Sequence, residues 1–179
     1  MSAEQTTHVE RPDLDAVRIR MARTSDVRDI RSLVDTYAPD RRLLSKATVT
    51  LYEDVPDFLV AELDGRVVAC GAVHVIWEDL AEVRTVAVDP ALRGRGIGAA
   101  LLDRLVARAR DLGVQKVFCL TFETAFFATR GFVEIEGTPV DHDVYEQLLQ
   151  SYDEGVAEFL DLERVKPNTL GNHRMLLHL

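Results

Sequence analysis

The stretch VDPALRGRGIGAALLDRL, Val88 to Leu105, places two arginines and three glycines within Arg93 to Gly98 and then runs into an apolar helix. That pattern suits an anion. A helix N-terminus carries unpaired N–H groups and a partial positive charge. Glycines let a backbone approach a phosphate closely, and Arg93 and Arg95 add direct charge. A tight turn with two solvated arginines would not call for three glycines ahead of a helix. Among nucleotide motifs, G-x-x-x-x-G-K-S/T is absent, which excludes a P-loop. Gly94, Gly96 and Ala99 satisfy G-x-G-x-x-G/A, but that fingerprint opens from the first strand of a βαβ unit, and here it lies mid-chain. The third reading is Arg93-x-x-Gly96-x-Gly98, an R/Q-x-x-G-x-G/A pattern. Elsewhere His74 is of a residue type suited to proton transfer, although a strand histidine can also be purely structural. Glu82 and Arg84 lie two apart on one strand, where an exposed carboxylate pairs with a nearby arginine.

These groups need a scaffold, and the hydrophobic spacing supplies one. Residues 16–22 alternate Val17, Ile19 and Met21 with arginines, which predicts a half-buried strand. Thr24-Ser25-Asp26 are N-cap residues ahead of Val27, Ile30, Leu33, Val34 and Tyr37 at helical spacing, and Pro39 closes that helix. A weaker helix is predicted over roughly Lys46–Asp54. FLVAEL, the turn Asp64-Gly65 and RVVACGAVHVIW form a hairpin. Ala81–Val88 is a further strand. The helix after the glycines carries Ile97, Leu101, Leu105, Val106, Ala109 and Leu112 and ends at Gly113. KVFCL predicts a strand buried between layers. A short helix at Thr124–Thr129, a strand GFVEI, a helix over Val144–Gln150, and apolar alternation at Phe159–Leu162 and Met175–Leu179 complete the chain. The expected fold is α/β (α+β): a mixed, mostly antiparallel sheet of six or seven strands, helices on both faces and one central crossover.

With 179 residues, 47% apolar and 28% charged, the chain reads as one soluble domain, residues 16–179, behind a mobile polar tail, residues 1–15. Neither a signal peptide nor a membrane span is expected. Cys70 and Cys119 lie within apolar runs, as reduced core residues of a cytoplasmic protein do. Of the net charge of -9, ten acids fall between Gly131 and Glu163, a segment without Lys or Arg. A solvated surface is the expected reading, and a lure for cationic substrates is the alternative. No basic stripe exists for nucleic acid.

The chain resembles the GNAT family of N-acetyltransferases. The resemblance rests on EVRTVAVDPALRGRGIGAALLDRL, KVFCLT and ETAFFATRGFVEI, which look like the family's central strand, acetyl-CoA loop, helix, splayed strand and closing F-x-x-x-G-F segment. It implies acetyl-CoA as co-substrate, without a metal. The backbone of Arg93, Gly94, Arg95, Gly96, Ile97, Gly98 and Ala99 would hold the pyrophosphate, and Val86, Ala87 and Val88 the pantetheine arm. Glu82 stands where the family commonly keeps a carboxylate that deprotonates the amine through water, with His74 as a second candidate. Many members carry a Tyr four residues before the Gly of the G-F pair, as an acid for the leaving thiolate. Here that residue is Phe127, which leaves protonation to water and offers only an apolar wall.

Leu43 to His74, with EVRTVAVDP and KVFCLT, is further similar to the acetyltransferase domain of bacterial N-acetylglutamate synthases, which acetylate the α-amino group of glutamate to begin arginine synthesis. This implies an amino-acid substrate, L-glutamate or glutamine, with Lys46 gripping a carboxylate. Thr85 and Leu120 would contact the substrate through their backbones, Arg84 lies beside them, and His173 and Arg174 are further candidate contacts. Where that family usually has Arg, Lys46 lacks a bidentate fork. The usual synthase has a kinase-like domain ahead of the transferase, and the chain is expected to lack it and any arginine feedback through it. A homodimer is compatible with the resemblance. Two other classes stay open: acetylation of a cationic amine (a polyamine, an aminoglycoside or a protein lysine), and a non-catalytic acetyl-CoA sensor.

Overall fold

The computed structural model describes residues 16–39, 46–160 and 171–179. Seven strands form one sheet in the order β1-β2-β3-β4-β5-β7-β6. They are β1 (Arg18–Met21), β2 (Phe58–Leu63), β3 (Arg66–Trp77), β4 (Leu80–Val88), β5 (Lys116–Thr121), β6 (Val133–Glu134) and β7 (His173–His178). Only β4 and β5 run parallel, joined through the right place for a crossover, α3 (Ile97–Asp111). The remaining helices are α1 (Val27–Tyr37), α2 (Thr48–Glu53), α4 (Thr124–Ala128), α5 (His142–Leu148) and α6 (Glu154–Phe159).

Alternation along the strands builds a layer on each side. On one face α3 buries Ile97, Leu101, Leu105 and Ala109 against Ala69, Val73, Val83, Val117 and Cys119. On the other, α1 seats Val27, Ile30, Val34 and Tyr37 on Phe58, Val60, Cys70 and Ala87. Further along this second face, α5 and α6 cover Leu80, Phe118 and Leu176, with Phe118 and Phe159 stacked at 4.2 Å. Between these two helical groups a stretch of β3 and β4 is left for polar side chains.

Two irregularities shape that stretch. The β4–β5 ladder stops after Glu82 opposite Phe118, so the strands part beyond it and the β4 edge from Val83 to Val88 has no partner in β5. The β3–β4 register also shifts between Ala72–Arg84 and Cys70–Ala87, which leaves an extra residue in β4. Thr85 sits there at φ 58°, a conformation a β-branched residue adopts only under constraint.

The predicted layers, hairpin and crossover stand, and KVFCL is buried as expected. Four boundaries change. The second helix is shorter, Thr48–Glu53, with Lys46 just ahead of it. GFVEI pairs only through Val133–Glu134. The alternation expected from Phe159 is instead the end of helix α6, with residues 161–162 outside the described set. The alternation expected at Met175–Leu179 is strand β7, His173–His178, which inserts between β5 and β6. The tail 1–15 and Leu43–Ser45 also lie outside the described residues.

Candidate active site

The fork between β4 and β5 opens a cleft of about 630 Å³, bounded by Val83–Val88, the start of α3, Leu120–Glu123 and the Phe126–Phe127 pair. At its mouth α3 begins on Gly96, the helix N-cap, at φ 86°, after Gly94 at φ 72°. No side chain caps this end of the helix among the described residues, so its first-turn N–H groups face the cleft as an anion cradle. Arg93 lies over the Tyr37 ring at 4.9 Å, and the Tyr37 hydroxyl donates to the Val88 carbonyl. Tyr37 thus ties the loop and the end of β4 together. Every residue expected to hold acetyl-CoA lines this cleft except Arg95. The fit is chemical as well as spatial: an N–H cradle for phosphates, an unpaired strand edge for an amide-bearing arm, and an apolar inner wall. Phe127 belongs to that wall, edge-on to both Phe126 and Phe132.

At the closed end of the fork is a cluster of charges. Glu82, the last β4 residue paired with β5, is only 4% exposed. Its Oε2 has no hydrogen-bond partner among the described residues. Burial disfavours its charged form and lifts its pKa from 4.5 to about 7, the nearby Asp153 adding to the effect and Arg84, Lys46 and His74 opposing it. Glu82 and Arg84 do not form a plain surface pair: Glu82 is buried and Arg84 half-buried, with Arg84 Nη1 3.5 Å from Glu82 Oε2. That same nitrogen donates to Asp153 Oδ2 at 2.8 Å, and Nη2 lies 3.5 Å from Asp54 Oδ2. Lys46 Nζ donates to Asp54 Oδ2 at 3.0 Å, so Asp54 draws the two cations together. His74 stands opposite Glu82 across the β3–β4 ladder, its Nδ1 2.7 Å from Asp57 Oδ2 and its Nε2 3.8 Å from Asp153 Oδ2.

The structure therefore brings Glu82, His74, Arg84 and Lys46 together and sets Thr85 and Leu120 on the adjoining cleft wall. Arg174 shares the α6 face and donates to the Glu158 carbonyl at 3.1 Å. His173 does not join them. It alternates onto the opposite face with Met175 and pairs with Glu134, because a one-residue step along a strand reverses the side. The acidic block also needs correction. Most of it is surface, but Asp153 enters the site and engages a cation. Sequence reasoning missed Asp54, Asp57, Asp153 and Tyr37. Only Asp153 left a local signal, as an N-cap ahead of Val156, and nothing local names Arg84 as its partner.

A sheet that parts at its parallel pair, with a bare helix N-terminus at the opening, defines a fold that threads a phosphate-ended, amide-bearing ligand between two strands. The chain belongs to the acetyltransferase (GNAT) family, whose pattern it matches over residues 26–134. It is 62% identical to an amino-acid acetyltransferase of Mycobacterium tuberculosis over 173 residues, 95% of this chain and 99% of that one. A crystal structure of a Mycobacterium tuberculosis protein in complex with CoA and NLQ superposes with a TM-score of 0.87 at 63% identity, covering 90% of this chain and 99% of that one. The N-acetylglutamate synthase of Neisseria gonorrhoeae, complexed with coenzyme A and N-acetyl-glutamate, shares the fold at a TM-score of 0.72 and 24% identity, over 91% of this chain and 35% of that one.

Proposed function

We propose that the chain transfers the acetyl group of acetyl-CoA to the α-amino group of a free amino acid, L-glutamate or L-glutamine, as the opening step of arginine synthesis. One observation carries the reading: a buried carboxylate, Glu82, with its pKa near 7, stands where the acetyl-CoA cleft closes and two cations converge.

The division of labour follows from the geometry. The first-turn N–H groups of α3, with Arg93, hold the pyrophosphate. The free edge of β4 over Val86–Val88 pairs with the arm and aims the thioester at the fork. Lys46 and Arg84 attract the carboxylate of the amino acid, which brings its ammonium group toward Glu82. An ammonium cannot attack, so Glu82 takes its proton, directly or through water. A carboxylate of pKa about 7 is still partly ionised at neutral pH and is a far better proton acceptor than an ordinary one. Thr85 sits at the β4 bulge, on the cleft wall beside the reacting centre. The freed amine attacks the thioester carbonyl, the C–S bond breaks, and the CoA thiolate leaves to take its proton from water, since Phe127 supplies none.

The test is thiol release from acetyl-CoA against the twenty amino acids, spermidine and a lysine peptide. Glutamate or glutamine should give the highest kcat/KM. A second reading, a cationic acceptor, draws on the four carboxylates Asp54, Asp57, Glu82 and Asp153 around the two cations, and a lead for spermidine or the peptide would establish it in place of the first.

A further inference from the structure

We propose that Asp153–Gly155, at the start of α6, is a positioning element for the reaction: Asp153 holds the Arg84 guanidinium back from Glu82, and Gly155 seats the Glu82 carboxyl. The segment lies outside residues 26–134, which carry the family pattern. It reaches the site only through the fold, and the inference rests on Glu82 being the base.

Arg84 Nη1 lies between two carboxylates. It bonds Asp153 Oδ2 at 2.8 Å and stays 3.5 Å from Glu82 Oε2. Asp153 is itself fixed, since its Oδ1 accepts the Val156 N–H at 3.0 Å and so caps α6. The carboxylate that stops the helix is thus the one that draws the guanidinium off. Two residues on, a Cβ added at Gly155 would stand 2.5 Å from Glu82 Oε2 and 3.2 Å from its carboxyl carbon, so a methyl there displaces the Glu82 carboxyl from its seat. Glycine lets α6 close over the carboxyl in the position it holds. The charged groups acting on Glu82 are Arg84 on β4, Asp153 ahead of α6, Lys46 ahead of α2 and His74 from β3. Of these only Asp153 raises the Glu82 pKa. Removing its charge lowers that value directly, and releasing Arg84 toward Glu82 lowers it again, so the two effects share a sign.

Asp153→Asn keeps a side chain that caps helices well and removes the charge. The Glu82 midpoint, read from the 13C shift of its labelled carboxyl, should fall by about one pH unit, the scale of a neighbouring charge. The acid limb of kcat/KM should move with it, and the plateau should drop because a weaker base remains. Asp153→Ser also caps a helix and serves as a second charge-free variant should the Asn protein fail to fold. Gly155→Ala should lose turnover while acetyl-CoA affinity holds. An unmoved Glu82 midpoint in a folded Asp153 variant, or full activity in Gly155→Ala, overturns the inference. An acid limb that persists unchanged in Glu82→Gln instead overturns the assignment of the base, so the two failures are distinguishable.

Discussion

At the scale of single residues, the site trades stability for proton affinity. Glu82 is buried without a hydrogen bond on Oε2, and its neutral form is the comfortable one. Its neighbours Asp153 and Arg84 settle differently. Burial works against the Asp153 carboxylate, yet Arg84 outweighs it and holds its pKa below the ordinary value. The same network gives Lys46 a defined role. Its ammonium is on Asp54, and an incoming carboxylate would share it at the fork. A charge-assisted contact of this kind contributes roughly 1.5–3 kcal/mol. Lys46→Ala should therefore raise the amino-acid KM about ten- to a hundredfold and leave acetyl-CoA binding alone. Lys46→Arg should hold or lower KM, since a guanidinium offers a bidentate fork. Steady-state kinetics at fixed acetyl-CoA checks both, and an unchanged KM in the Ala variant would remove Lys46 from the substrate site.

At the scale of elements, the cofactor cleft was legible in sequence because its cause is local. Arg93–Ala99 announces itself through glycine spacing, and the backbone is left-handed at Gly94 and Gly96. Replacing Gly96 by Val forces a branched side chain into φ near 86° and closes the N–H cradle. Acetyl-CoA affinity should fall by about 2 kcal/mol or more, measured by calorimetry on the folded variant. An unchanged affinity would place the pyrophosphate elsewhere. What the sequence did not disclose depends on pairing across distance. Nothing in residues 151–160 says that α6 lies on Glu82, and nothing in NHRMLLH says that β7 enters between β5 and β6. Sequence alone offers His173 and Arg174 equally as contacts, because register decides the side and the register of the last strand is set by its partner. The Thr85 bulge was hidden too: EVRTVAV reads as an unbroken strand, and the extra residue appears only against β3.

At the scale of the whole molecule, two buried carboxylates in different places make stability depend on pH in opposing ways. Asp26 accepts from Arg20 and from the Arg23 N–H, and its carboxyl is held below the ordinary range. That contribution is present at neutral pH and is lost on acidification. Glu82 works the other way. Its folded pKa of about 7 exceeds its ordinary 4.5, so the native state binds the extra proton between these values, and stability falls as pH rises through that window. Glu82→Gln should then match the parent near pH 5 and exceed it at pH 8 by on the order of 2 kcal/mol, read from denaturant melts. A gap that does not change with pH would mean that Glu82 is not strained in its charged form. The same residue gives the most direct test of the account. Single-turnover acetyl transfer to glutamate by the parent and by Glu82→Gln, each saturated with acetyl-CoA, should differ by on the order of a hundredfold at pH 7. The gap should narrow as pH rises, because more free amine then exists without a base. Equal rates with parallel pH profiles would contradict the claim that this carboxylate prepares the amine.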